Sequence, residues 1–408
     1  MHAITSSFCE CKRLNKSNTL LLEAPNSLSL FWILICLKTI ITPDPAVRNV
    51  FDYCIYLFSI VLAIVGLIWQ KKKSYIVSIT ICFGLLLFIS ALGIVQNISI
   101  TALTSTIGII CVGCLILSIV LCSNKIQSFY IKPIYYLTLL SLLFRTIKGE
   151  YLGNTTSGVI CFLSFGLLIC VIDGWNKTKR KRIWISRFVD IVSVVVSFGV
   201  MFYVGLRSAS RTPLFTTIII FAFYFLLHFF HMSYRKYTKL FWITCFTSFI
   251  ILVVYINIHS FSWYQSLNEY SVNIFDKNLD SSRPALWREE INSLLWWQFL
   301  FGKGTGVLPT YKGYQSFHNS YIQLLIQNGI ISLVVLVIVF KIIWSQIVKN
   351  SKDEFTKMLV SIFIGVLIYN LFECTLLQNK VFLGQIEWTI LSMSIIFSKK
   401  RILLFSKV

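Results

Sequence analysis

Three side chains in this sequence have chemistry that acts at a phosphate-bearing bond. His318 stands in Phe317-His318-Asn319-Ser320-Tyr321, Arg283 in Ser281-Ser282-Arg283-Pro284-Ala285-Leu286-Trp287, and Arg211 in Ser210-Arg211. A neutral imidazole accepts a proton from a hydroxyl near neutral pH. An arginine offers a planar fork of donors that matches phosphate oxygens. His318 also opens a long apolar run, so it falls at a predicted helix N-terminus, where free N–H groups and a partial positive charge suit an anion. A histidine with no role beyond facing the membrane interface is the alternative. Arg207 and Arg211 flank Ser208 and Ser210. Snorkelling to the interface explains many such arginines, and diphosphate binding explains them too.

The elements that must hold these residues are set by composition. The chain has 408 residues, 56% hydrophobic and 13% charged, with only seven prolines. Those values fit an all-α polytopic membrane protein and exclude an ordinary soluble enzyme. No cleavable signal peptide is read at the N-terminus, because Cys9 to Lys16 is polar and precedes any apolar run. A span needs about 17–25 mostly apolar residues. Twelve are expected, at 27–42, 51–69, 74–95, 100–122, 131–147, 155–173, 183–204, 213–230, 239–257, 319–340, 355–374 and 381–397.

Lys and Arg alternate in density between the loops these spans define. One side carries 24 of them and the other 11, with Lys38 and Arg187 inside spans. The denser side is expected to be cytoplasmic and to hold both termini. The net charge of +21 is then mostly an orientation signal with anionic-lipid contact, and nucleic acid is not an expected partner. The chain divides into helices one to nine (1–257), an extracytoplasmic loop (258–318), and helices ten to twelve with a cytoplasmic tail (319–408).

A loop this long is unusual in a bundle, where connections run about 2–8 residues. Within it, Leu286, Trp287, Ile291, Leu294, Leu295 and Gln298 fall near one helical face, and Arg288, Glu289, Glu290 and Asn292 on the other. Ser281 and Ser282 are candidate caps, and Pro284 suits a first turn. An amphipathic helix lying on the bilayer is the plain expectation, with Trp296 and Trp297 at the interface. Gly302-Lys303-Gly304-Thr305-Gly306 lacks the spacing of a nucleotide-binding loop and reads as a flexible turn.

Other groups point less sharply. Cys111-Val-Gly-Cys114 lies inside a span with no polar neighbours and reads as packing. His228 and His231 read as a solvated pair. Asp190 with Arg187, and Glu387 in the last span, are intramembrane charges of the kind that transporters use.

The run from Ser281 to about Leu336 resembles the core of the O-antigen ligase and polysaccharide polymerase family. It has an arginine shortly before a tryptophan (Arg283, Trp287), a glycine-rich turn (Gly302 to Gly306), His318-Asn319-Ser320-Tyr321, and a glycine-containing apolar helix (Gly329). Ser210-Arg211 matches the family's Ser-Arg at the outer end of an earlier span. Two departures, Gln327-Asn328 before Gly329 and Ser332 where a second glycine is common, touch no proposed catalytic side chain.

The resemblance implies glycosyl transfer outside the cytoplasmic membrane, from a glycan on undecaprenyl diphosphate to an acceptor hydroxyl, without metal or other cofactor. It implies that Arg211 and Arg283 hold the diphosphate leaving group and that His318 removes the acceptor proton, with inversion at the anomeric carbon. Arg207, Arg288, Asn319 and Tyr321 are further substrate-binding candidates. Expected partners are the lipid-linked oligosaccharide, membrane lipids, a flippase and a chain-length regulator. A polymerase is favoured over a ligase. A lipid-linked oligosaccharide flippase competes from outside the enzymes. So does a cell-wall-type polymerase relying on an acidic residue such as Glu269, Asp276 or Asp280.

Overall fold

The computed structural model describes residues 53–55, 57–61, 63–64, 74–96, 98–122, 136, 140, 154–177, 184–207, 210–275, 278, 280, 283–314, 316–350, 353–377 and 381–405. Among these residues the protein is helical and contains no strand. The long helices are α1 (Ser74–Gln96), α2 (Ile100–Cys122), α3 (Asn154–Lys177), α4 (Trp184–Arg207), α5 (Arg211–Phe229) and α6 (Tyr234–Ile256). Three short helices follow, α7 (Tyr264–Phe275), α8 (Arg283–Asn292) and α9 (Trp296–Phe301). The chain then returns to long helices, α10 (Ser320–Ile347), α11 (Glu354–Tyr369) and α12 (Val381–Phe405).

Among the described residues, six helices are long and apolar enough to cross a membrane: Ser74–Gln96, Ile100–Leu121, Arg187–Arg207, Arg211–Phe229, Tyr234–Ile256 and Ser320–Ile347. They fall on six of the twelve expected spans. The span expected at 27–42, all but residues 136 and 140 of 131–147, and nine of the nineteen residues of 51–69 lie outside the described residues. Helices suit these sequences because hydrocarbon offers no partner to a backbone N–H or C=O, so each must be satisfied within the segment. Their hydroxyls are satisfied the same way: Ser164, Thr217 and Ser332 donate to carbonyls four residues back, at 2.8, 2.9 and 2.9 Å.

The core lies where α12 meets α2, α3 and α10, and where α11 packs on α5. Large aromatics fill it: Trp388 stacks on Phe340, Trp344 meets Phe363 edge to face, and Phe162 meets Tyr369 the same way. By contrast α6 buries only Tyr237, Phe241 and Thr244, while Trp242, Phe246 and Phe249 stay exposed. An apolar face of that kind suits a lipid environment.

Helix α10 is broken at Gly329, whose φ of 75° and ψ of 175° belong to a region that essentially only glycine enters. The chain after α9 crosses there. Gly302 has nearly the same conformation (φ 89°, ψ 172°). A Cβ at Gly302 would strike the carbonyl of Gln327, and a Cβ at Gly329 would strike that of Leu300. The carbonyls of Ile326 and Gln327 accept the N–H groups of Lys303 and Gly304 at 2.7 and 3.2 Å. Asn328 donates to Ser90 and Thr305, both at 2.8 Å, tying the crossing to α1. The glycine-rich run expected as a flexible turn is therefore a close-packed joint, and the amides of Lys303 and Gly304 serve the broken helix.

The single amphipathic helix expected across 286–298 is instead two helices with a turn between them. Leu286 and Trp287 are fully buried in a small cluster with Phe317, Ile322, Ile326 and Cys374. Glu290, expected on the polar face, is 1% exposed. Its carboxylate is satisfied inside the protein, where Lys303 Nζ donates to it at 3.0 Å and the Thr310 hydroxyl at 2.8 Å. Trp296 does stay exposed, as an interfacial residue would. The expected caps Ser281 and Ser282 lie outside the described residues.

Candidate functional site

His318 is the last residue before the cap of α10. Asn319 is that cap: its Oδ1 accepts the N–H groups of Tyr321 and Ile322 at 2.8 and 2.9 Å. Its Nδ2 donates to the carbonyl of Leu371 at 2.8 Å, and its backbone N–H meets the Cys374 sulfur at 3.0 Å. His318 has φ +51°, a left-handed conformation among non-glycine residues. Such an outlier persists only where its surroundings hold it, and these clearly do. Phe317 on one side is buried, and its carbonyl accepts the Trp287 indole at 2.6 Å. Asn319 on the other is fully buried. The imidazole between them is partly exposed, with the Tyr314 ring edge-on at 6.5 Å.

The turn after α11 supports this corner. The N–H of Ser320 points at the carbonyls of Asn370 and Glu373, at 3.0 and 3.1 Å. Its hydroxyl lies 2.7 Å from Asn370 Oδ1 and 3.0 Å from the Glu373 carbonyl. Asn370 in turn donates to the buried carboxylate of Glu387 on α12 at 3.0 Å, and the Thr375 hydroxyl lies 3.0 Å from the same carboxylate. The intramembrane acid noted in the sequence thus sits in a hydrogen-bonded mesh beneath residues 370–375.

The same turn receives Arg283. Nη1 of this arginine donates to the carbonyl of Phe372 at 2.8 Å, and Nη2 lies 3.9 Å from Glu373 Oε1. Arg283 is the first residue of α8, and its N–H donates to the Asp280 carbonyl, which also accepts the Tyr255 hydroxyl at 2.9 Å. Arg211 is the first residue of α5. Its guanidinium donates to Ser271 Oγ on α7 at 2.8 Å and to the carbonyl of Asn278 at 3.2 Å. Phe215, one turn after Arg211, packs against Phe372, whose carbonyl accepts from Arg283.

An aromatic chain joins the pieces. Phe372 packs edge-on against Phe215 of α5 and Tyr255 of α6, Tyr255 packs on Trp287, and Trp287 holds the carbonyl next to His318. Residues far apart in sequence thus meet at one end of the bundle: Arg283 and the His318 loop are held on the 370–375 turn, and Phe215, one turn after Arg211, packs on the same turn. Two cations and an imidazole at a partly exposed corner can bind an anion and move a proton.

The other expected residues are placed differently. Arg207 is exposed and reaches Tyr203 on its own helix at 3.5 Å. Arg288 donates to the carbonyl of Ile256 at 2.7 Å, fastening α8 to the end of α6. Asn319 spends its side chain on the cap, and the Tyr321 hydroxyl donates inward to the Leu367 carbonyl at 2.9 Å. Among the acidic residues considered, Asp280 is buried and pairs with His259 at 2.9 Å, and burial together with that carboxylate pushes the Tyr264 phenol up to about 12. His228 pairs with Glu354 at 3.1 Å, and Asp190 accepts the Tyr136 hydroxyl at 2.8 Å. Sequence reasoning missed Phe372, Glu373, Asn370, Tyr255 and Ser271, which carry no local motif.

Residues 196–337 match the family model described as O-antigen ligase, in agreement with the resemblance read from the sequence. The matched segment runs from α4 into α10 and contains Arg211, Arg283 and His318. It supports a membrane protein with ligase- or polymerase-type function, of a family of glycosyltransferase-like enzymes. No curated protein matches the chain.

Proposed function

We propose that this protein is a polysaccharide polymerase of the cytoplasmic membrane. It transfers a glycan from undecaprenyl diphosphate to a hydroxyl of another lipid-linked repeat unit on the outer face. The observation that carries the reading is that Arg283 and the residue after His318 are both held on the 370–375 turn, on which Phe215, one turn after Arg211, also packs. The two guanidinium groups hold the diphosphate as negative charge develops on the departing oxygen. His318 takes the acceptor proton as the hydroxyl attacks the anomeric carbon, so configuration inverts. Diphosphate leaves with the electron pair of the broken C–O bond. No metal enters this scheme, because the arginines supply the charge stabilisation. Both termini are cytoplasmic, following the Lys/Arg bias.

Asn319 and Tyr321 serve this site by fixing the backbone on either side of Ser320. Arg207 and Arg288 are assigned to contacts with the glycan or lipid headgroups. A flippase that delivers the repeat unit and a regulator of chain length are the natural protein partners. A ligase that passes the glycan to a lipid or surface acceptor is the second reading, because the matched family's description names that activity.

Replacing His318 with Ala in the native cell, with lipid-linked glycans read by mass spectrometry, tests the assignment. Single repeat units accumulating on the lipid mean a polymerase, and long glycans left on the lipid mean a ligase. An unchanged profile with the variant present at normal level removes His318 from the chemistry and favours a flippase.

A further inference from the structure

We propose that Asp280 is a positioning residue for Arg283 and that His259 sets its grip: the charged imidazole of His259 pairs with the Asp280 carboxylate and so holds the start of α8, from which Arg283 reaches the diphosphate. The inference rests on the reading of Arg283 as a diphosphate holder.

Asp280 is a node between helices. Its carbonyl accepts the N–H of Arg283 at 3.1 Å and the Tyr255 hydroxyl at 2.9 Å. Its carboxylate lies 2.9 Å from His259 Nε2 and accepts the Tyr264 hydroxyl. The His259 and Tyr264 rings meet edge to face at 4.5 Å, so the two partners of the carboxylate also pack on each other. One residue thus ties the end of α6 (Tyr255), the 3-10 turn Ile258–Ser260 and the first residue of α7 to the first residue of α8. Arg283 is fixed at both ends, its backbone on Asp280 and its guanidinium on the Phe372 carbonyl at 2.8 Å.

Charge decides how firmly the node holds. The Asp280 side chain is 6% exposed, and a buried carboxylate without a cation is unfavourable. From α6 and α7 it meets the phenols of Tyr255 and Tyr264, which bring no positive charge. On α8 the Arg283 guanidinium is turned to Phe372 and Glu373, and that of Arg288 to the Ile256 carbonyl. The His259 imidazole, 43% exposed, is the partner that gains and loses a positive charge with pH. With its proton the pair is complete and Asp280 stays enclosed. Without it the carboxylate is drawn toward water, the Asp280 carbonyl follows, and Arg283 loses its backbone anchor. Asp280 and His259 both act through Arg283.

The test uses the purified full-length protein in nanodiscs, with undecaprenyl diphosphate as the titrated probe. It reads the ratio of the Kd of His259→Gln to that of wild type at each pH. Ionisation of the probe and of His318 is common to both proteins and cancels in the ratio. The ratio should be about five at about pH 5.5, the size of a pair with one exposed partner, and fall toward about one as pH rises to about 9 and the wild-type imidazole loses its proton. His259→Lys keeps a charge across the interval. It should match wild type at the acid end and bind about fivefold more tightly than wild type at the basic end, a gain that a merely structural role would not give. In an Asp280→Asn background, checked for an unchanged melting temperature, the His259→Gln ratio should be about one at every pH. A ratio that does not change with pH, a His259→Lys variant that follows His259→Gln, or a ratio that still falls with pH in the Asp280→Asn background overturns the proposal. Wild-type binding lost in Arg283→Gln, together with a pH-independent His259→Gln ratio, sinks this inference alone. Absence of binding by wild type at every pH sinks the diphosphate reading and this inference with it.

Discussion

The indole of Trp287 donates to the carbonyl of Phe317 at 2.6 Å, one residue before His318. Both partners are buried, Trp287 fully and Phe317 at 1% exposure. This bond fixes the peptide on which the left-handed His318 depends. Trp287→Phe keeps an aromatic ring against Tyr255 but leaves the carbonyl without its donor. A buried polar group left unpaired costs ~1–3 kcal/mol. The variant should melt at lower temperature and should lose activity more steeply than its stability loss explains, because the imidazole is no longer held. Paired measurement of melting temperature and glycan transfer checks this.

Arg211 uses two different nitrogens on Ser271 and on the Asn278 carbonyl, so its orientation depends on a fork. Lysine keeps the charge and loses that geometry. Arg211→Lys should lower kcat by about 10²-fold, the order seen when one oriented transition-state donor is removed. Substantially intact activity would count against bidentate holding of the diphosphate. Ser271→Ala, which removes only a support, should cost much less, and assay of the two side by side separates recognition from support.

These relationships were unequally legible in the sequence. The long helices were, because a backbone in hydrocarbon has few options and the apolar runs announce it. So was the start of α10, expected at 319 and found at Ser320, since the apolar run begins there. The 370–375 turn was not. Tyr369, Leu371, Phe372 and Cys374 read as the end of an apolar span, and nothing nearby shows that Arg283, 89 positions earlier, reaches the Phe372 carbonyl. Glu290 was placed on a polar face for a related reason. Helical periodicity assigns a face to each residue but does not see Lys303 thirteen positions later, whose charge permits the carboxylate to be buried. The glycines were visible as a turn, yet their reason, a reciprocal crossing of Gly302 and Gly329, is a tertiary one.

That crossing gives a stability prediction. Gly329→Ala puts a Cβ against the Leu300 carbonyl and forces a non-glycine residue into a region costing of order 1–3 kcal/mol. The loss should appear first as protease sensitivity between Leu300 and Thr310, since the Lys303 and Gly304 bonds to α10 depend on the crossing. Alanine at Gly199, whose Cβ meets nothing within 4 Å, is the control and should leave the digestion pattern unchanged.

Glu290 gives the pH dependence. Burial alone would push its carboxyl up, but the Thr310 N–H and hydroxyl and the Lys303 ammonium outweigh it and hold the group below the usual 4.5. A carboxyl lowered on folding binds fewer protons in the folded state than in the unfolded one. Its stabilising contribution is therefore complete above about 4.5 and is lost as pH falls through the lowered folded value. Glu290→Gln has no such titration, and it leaves Lys303 without its carboxylate at every pH. At pH 7 the variant should melt below wild type, and the gap should narrow as pH falls below 4.5 and the wild-type carboxylate takes up its proton. Thermal melts of both proteins across that interval check the sign. A gap that stays constant into acid would mean that Glu290 stabilises the 290–310 segment by shape and hydrogen bonding alone, without its charge.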